Sequence, residues 1–325
     1  MTNRTACPSA ISRRVAIGRL GLLSSAFLAW HFDPNLFAQA TPPADFLEQM
    51  RKTMAAIPPV SSKLTDQLYL ISGPGGNIAV LNSPEGKLAV DSGIAGASSA
   101  ILTQIDSYGT EPLRVLVNTH WHFDHTDGNE AFRKKGALIV AHDNVRKRMG
   151  AAQDIDFFHI RVAASPAGAL PENTFSSGTT LNLGGEEAIV AHVDPAHTDS
   201  DSFIKFVHAN VIHGGDLIFS ASFPFIDYST GGRIEGMIAA ADRILPLTDS
   251  TTKIIPGHGP VMNATALKEY RDMLADIAAR IGALKKQGKD LNATVAAKPT
   301  GKYDEKWGKG MLNGDSFTRV VFNSI

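Results

Sequence analysis

Thr119-His120-Trp121-His122-Phe123-Asp124-His125 sets three histidines and an aspartate within six positions. This is the donor set of a transition-metal site. Borderline ions such as zinc, with iron and manganese as alternatives, take imidazole nitrogen and carboxylate oxygen together, whereas calcium and magnesium favour oxygen alone. The run before it, Arg114-Val115-Leu116-Val117-Asn118, reads as a buried strand, so the donors fall where a strand becomes a loop. In extended chain His120 and His122 share a face, while Asp124 and His125 are adjacent and point apart. One short loop is therefore expected to serve two metal ions; the plainer alternative is a histidine-rich surface loop.

Two ions need more ligands than four, and other strand-like runs end in suitable residues. Ile189-Val190-Ala191-His192-Val193 leads into Asp194-Pro195-Ala196-His197-Thr198-Asp199-Ser200-Asp201. Val211-Ile212-His213-Gly214-Gly215 stops at Asp216, and Lys253-Ile254-Ile255-Pro256-Gly257 stops at His258. Ends of strands meet along one edge of a sheet, so these donors are expected to gather there.

In this order, and together with Leu88-Ala89-Val90-Asp91-Ser92-Gly93, the motifs resemble the metallo-β-lactamase superfamily over roughly residues 65–265. The resemblance implies an α/β (α+β) fold, the αββα four-layer sandwich of two mixed β-sheets flanked by helices. It implies that His120, His122 and His197 hold a first metal and that Asp124, His125 and His258 hold a second. Asp216 would bridge them, Asp91 would support the metal loop from behind, and Asp124 would also shuttle protons. The implied cofactor is two divalent ions, zinc foremost, with iron or manganese as alternatives. Two such ions sharing one water bring its pKa from ~15.7 towards ~7, which yields a hydroxide nucleophile at neutral pH.

The function so implied is a metal-dependent hydrolase cleaving an ester, lactone, thioester, phosphoester or amide bond of a small-molecule substrate. A second reading is a metallo-β-lactamase acting on β-lactam antibiotics, and a third is a mononuclear-iron oxidoreductase like the superfamily's sulfur dioxygenases. The tail has no recognisable counterpart of the glutathione-binding helical domain of glyoxalase II-like members. No Gly-x-Ser-x-Gly elbow suggests a serine nucleophile.

The chain of 325 residues is 43% hydrophobic and 19% charged, as expected of one catalytic domain with a sizeable core. Its net charge of −1 argues against a nucleic-acid partner. Residues 1–40 read as a twin-arginine-like signal peptide. Ser12-Arg13-Arg14 precedes the apolar run from Leu20 to Trp30, and Ala38-Gln39-Ala40 fits a cleavage site. The general secretory route is the alternative. Periplasmic or extracellular location follows, with no stable membrane anchor after cleavage, since the apolar run falls short of the ~20 residues a span requires. The single cysteine, Cys7, lies in this leader, so the mature chain would have neither a disulfide nor a cysteine ligand. Nothing in the sequence sets an oligomeric state.

Residues 41–64 read as a lead-in, 65–265 as the catalytic domain and 266–325 as a helical extension packed on it. Strands are expected over Gln67 to Ser72, Asn77 to Asn82 and Lys87 to Asp91, and helices over Ala97 to Tyr108, from about Asp127 to a Gly136 stop, and over Ala264 to Lys285. Ala151 to Thr174 reads as a long loop over the site. With Trp121, Phe157, Phe158, His159, Phe223, Phe225 and Tyr228 it would form a substrate pocket, unless those rings pack the core. His142 reads as a helix-entry residue, and His192, His208 and His213 as structural.

Overall fold

The computed structural model describes Met1 and residues 45–325; the expected signal peptide, with Cys7, lies outside the described residues. Two mixed β-sheets lie face to face. The larger has seven strands in spatial order Val60–Lys63, Leu68–Ser72, Ile78–Ser83, Gly86–Val90, Leu113–Val117, Leu138–His142 and Asn173–Phe175. Its first four strands pair antiparallel and its last four parallel. The smaller has five, Gly178–Leu183, Glu186–His192, Ser202–Phe206, Val211–His213 and Lys253–Ile255, of which only the last pair is parallel.

Period-2 alternation decides which side chains meet between the sheets. Leu70, Ala79, Leu88, Val117 and Val140 of the larger sheet share one buried cluster with Val190, Ile204, Val211 and Ile255 of the smaller. Their strand neighbours Ile71, Val80, Ala89, Leu116 and Ile139, with Phe203, Ile212 and Ile254, face outward into a second cluster that the helices complete. Ser98–Asp106 contributes Ile101 and Ile105, and Ala264–Lys286 contributes Leu267, Tyr270, Met273 and Leu274, so each amphipathic stripe covers a sheet face. The fold is the αββα sandwich expected from the sequence.

Two parts of the chain depart from the reading of residue pattern alone. The stretch expected to be a long loop, 151–174, contains a hairpin of Gln153–Ile155 with Ile160–Val162 before Asn173–Phe175 joins the larger sheet. Three-residue strands are too short to show periodicity. The turn carries no glycine either, because His159 itself takes the left-handed conformation at φ 50°. The lead-in, where described, is built into the domain. Phe46–Ala55 is a helix that buries Phe46, Met50 and Met54 in the outer cluster, and Val60–Lys63 forms an edge of the larger sheet.

Among the described residues no helix is long and apolar enough to cross a membrane. Asn263 caps the long C-terminal helix by accepting from the Ala266 amide, and Gly314–Ser324 packs back against that helix.

Candidate metal centre

The central strands of the larger sheet run parallel, so Gly86–Val90, Leu113–Val117 and Leu138–His142 all release their C-terminal ends on one edge. Asp91 leaves the first and the histidine loop leaves the second. Asp91 sits at φ 65°, a left-handed conformation uncommon outside glycine, and its side chain shows what that geometry achieves. One carboxylate oxygen accepts from the Thr119 amide at 2.8 Å; the other accepts from the Thr119 hydroxyl and from His125 Nδ1, each at 2.8 Å.

His197 enters from the loop after Glu186–His192, Asp216 from the turn after Val211–His213, and His258 from the loop after Lys253–Ile255. The donor atoms of His120, His122, His197 and Asp216 lie within 4.8 Å of one another, and so do those of Asp124, His125 and His258. Asp216 also reaches the second group, with Oδ1 at 3.1 Å from His125 Nε2 and 3.5 Å from His258 Nε2. The seven residues named as ligands from the sequence are thus brought together as two groups, with Asp216 between them.

Hydrogen bonds fix the tautomers in the first group. The Phe225 carbonyl, which can only accept, lies 2.8 Å from His197 Nδ1, and the Asp227 carboxylate lies 3.0 Å from His122 Nε2. Those nitrogens therefore carry the protons. His197 Nε2 and His122 Nδ1 consequently face each other, lone pair to lone pair, at 2.8 Å. The Thr119 hydroxyl, having donated to Asp91, accepts from His120 Nδ1 at 3.0 Å and leaves His120 Nε2 without a proton. His120 Nε2 is buried with no hydrogen-bond partner. Converging, unsatisfied lone pairs are costly unless a cation sits among them, so the residues fit a divalent ion.

The second group shows the same demand through protons. Burial disfavours charge on His125, yet Asp216, Asp124 and Asp91 outweigh it and hold its pKa well above the usual value. Burial is likewise outweighed at His258, which Asp216 and Asp124 push up to about 9. At Asp124 burial is overcome by His125 and His258, which pull the carboxyl down to about 2. In the first group burial dominates and holds His197 at about 4, so its ring stays neutral and able to ligate.

Close approach is built in with glycine. A Cβ on Gly257 would stand 1.9 Å from Asp216 Oδ1, and one on Gly76 would stand 2.0 Å from His125 Cε1.

Three supporting residues escape sequence reasoning, two of them, Asp227 and Arg51, because their partners are distant in the chain. Asp227, 105 positions from His122, receives hydrogen bonds from the Ser229 and Thr230 hydroxyls, and Thr230 in turn accepts from Trp121 Nε1 at 3.3 Å. Asp201, which burial pushes up to about 7, accepts from the His197 and Thr198 amides at 2.7 and 2.8 Å. Arg51 of the lead-in helix pairs with Asp127 at 2.7 Å and lies over the Phe123 ring.

The expected pocket residues separate into two sets. Phe225 flanks His122 and His197, and Phe157 and Phe158 pack on Phe225 with centroids 5.8 and 4.7 Å away. These rings are nearly fully buried and back the ligands. Trp121 is 2% exposed and serves the Asp227 network, while Phe223 stacks on Phe317 in the core. His159 and Tyr228 instead line an outer cleft of about 700 Å³ with Asp156, Arg161 and Asn323. His142 accepts from the Asn144 amide at the start of Asp143–Met149 and stacks on His192 at 3.6 Å; His213 accepts from the Gly215 amide behind Asp216.

Residues 72–258 match the family model of the metallo-beta-lactamase superfamily. The chain belongs to this superfamily. It is 28% identical over 152 residues to a hydroxyacylglutathione hydrolase of Nitrosococcus oceani, covering 46% of this chain and 49% of that protein. It is 24% identical over 147 residues to metallo-beta-lactamase IND-1 of Chryseobacterium indologenes, covering 45% and 56%. The chain thus spans about half the length of these curated relatives. The fold is also that of the inverting sec-alkylsulfatase Pisa1 from Pseudomonas sp., with a TM-score of 0.61 and 18% identity over 81% of this chain and 50% of that one.

The Asp227 carboxylate selects the His122 tautomer. Replacing it by alanine is expected to weaken the first ion's binding about 10–100-fold, as loss of such a partner does elsewhere. Competition against a chromophoric chelator reads this, and unchanged affinity would remove Asp227 from the site's support.

The charge on His258 gives a second prediction. Its raised pKa stabilises the metal-free fold fully below about 6.5, and that contribution is lost as pH rises through about 9. A bound ion would displace this proton. The melting-temperature gap between metal-loaded and chelated protein should therefore widen from pH 6.5 to pH 9; a constant gap would show that no proton is displaced.

Proposed function

We propose that the protein is an exported hydrolase whose centre holds two divalent ions, zinc foremost. The observation that carries this reading is the pair of donor groups joined by Asp216, in which imidazole nitrogens and carboxylates converge and His120 Nε2 has no hydrogen-bond partner. His120, His122 and His197 would hold one ion and Asp124, His125 and His258 the other, with Asp216 touching both. Such ions supply Lewis acidity, lowering the pKa of a shared water and polarising a substrate oxygen.

The chain's own residues do the remaining work. Neutral His197 and His120 present their lone pairs because burial keeps them unprotonated. Asp124 is ionised at neutral pH and stands beside the partly exposed His258, 3.2 Å from its Nε2, where it can accept a proton from the attacking water and pass it to the leaving atom. Asp91 and Asp227 hold the rings in position during that transfer. The bond cleaved is an ester, lactone, thioester, phosphoester or amide. Because the chain is similar to IND-1 and to a hydroxyacylglutathione hydrolase, a β-lactam and a hydroxyacylglutathione are among the first compounds to try.

Metal content by mass spectrometry, run beside hydrolysis of a lactam, lactone, thioester and phosphoester panel, tests the reading. About two zinc ions with chelator-sensitive turnover is the expected result. One iron with no hydrolysis would overturn it in favour of oxidation.

Export is supported by Ser12-Arg13-Arg14 before the apolar run and by Ala38-Gln39-Ala40. Periplasmic protein is expected to begin after Ala40, and the double change Arg13→Lys, Arg14→Lys to retain the chain in the cytosol. Unaltered export of that variant would assign the general secretory route.

A further inference from the structure

The family match ends at residue 258, yet the chain beyond it returns to the centre. The link is the turn Phe219-Ser220-Ala221-Ser222-Phe223. On its inner side Phe219 forms a β-bridge with His258, its ring lies 5.3 Å from the His258 imidazole, and the Ser220 amide donates to the His258 carbonyl at 3.0 Å. At its apex Ala221 is exposed and held at φ 62°, a conformation that a β-carbon disfavours and that the surroundings must impose. On its outer side three contacts come from the tail. The Phe223 amide donates to the Trp307 carbonyl at 2.8 Å, and the Phe223 ring stacks on Phe317 at 4.6 Å and 11°. Gly310 packs so closely that a Cβ there would stand 2.4 Å from Ser222 Cβ.

We propose that the C-terminal segment is a positioning element of the metal centre: Trp307, Gly310 and Phe317 clamp the turn 219–223, and the turn sets where His258 stands. The other histidine ligands are held from behind by a carboxylate, a carbonyl or a hydroxyl: Asp91 holds His125, Asp227 holds His122, Phe225 holds His197 and Thr119 holds His120. Among the described residues the polar contacts of the His258 imidazole run to the centre itself, to Asp124, His125 and Asp216, and it is the most exposed of the histidine ligands. Its place is therefore set by its backbone, and the backbone is set by the clamped turn. The metal half of this inference rests on the two-ion reading above; the clamp itself does not.

Gly310→Ala tests it, since one methyl drives into Ser222 while leaving the ligands untouched. The expected result is at least a tenfold loss of affinity for the second zinc ion with the first retained, read by zinc titration. Hydrogen exchange at the Ser220 amide, measured on the chelated protein, should rise at least tenfold while that of Ile204 in the smaller sheet stays constant. The compensating change Ser222→Gly removes the clashing atom and should restore both readouts, while a general loss of stability would raise exchange at Ile204 as well. Wild-type exchange at Ser220 in Gly310→Ala overturns the clamp. Raised exchange with wild-type affinity for two ions overturns its control of His258. A wild-type protein that binds fewer than two ions refutes the two-ion reading instead, and the exchange data still decide the clamp.

Discussion

The structure depends on a concentration of buried negative charge that only a cation can balance. Asp91, Asp124, Asp216 and Asp227 are all nearly inaccessible to solvent, and three of them bear directly on His125. Burying an unpaired carboxylate is costly, so in the metal-free chain these carboxylates favour protons on His125 and His258. A proton on a ligand nitrogen occupies the lone pair a metal needs. The same carboxylates that raise the proton affinity of these rings would hold a divalent ion more strongly still, so metal binding, proton release and stability form one linked equilibrium.

Asp91 shows how the backbone is bent to serve that charge. A non-glycine residue at φ 65° carries strain of about 1–3 kcal/mol, which three hydrogen bonds from the metal loop offset. Because Thr119 and His125 both answer to this one carboxylate, the two donor groups are spaced by a rigid bracket rather than by a flexible loop. Gly76 and Gly257 then let His125 and Asp216 lie against the backbone where any side chain would collide with them.

The parts of the centre that are legible in the sequence are those whose donors are local. Residues 119–125 present four donors by themselves, and His197, Asp216 and His258 are each flagged by a strand that stops just before them. The two sheets follow from alternation strong enough to sort Leu88 from Ala89 and Ile254 from Ile255 into opposite clusters. Asp227 is illegible because its partner His122 is 105 residues away and nothing around it marks a motif. The hairpin at 153–162 is illegible because each strand has three residues and its turn is made by a left-handed histidine. The aromatic residues were visible as types, but whether a ring faces solvent or backs a ligand depends on sheet curvature and on what lies behind it; Phe225 and Phe223, two residues apart, ended in different roles.

Donor identity and donor orientation thus have different origins in this chain. Identity is written in short motifs within residues 72–258, where the family match lies. Orientation comes in part from residues distant from those motifs. Asp227 turns His122, Arg51 anchors the end of the metal loop through Asp127, and Trp307 with Phe317 braces the turn beside His258. A ring displaced by half an ångström still counts as a ligand in sequence but has lost much of its hold on an ion. Selectivity among metals and among substrates is therefore expected to vary with the lead-in helix and the C-terminal segment, while the motif itself stays unchanged.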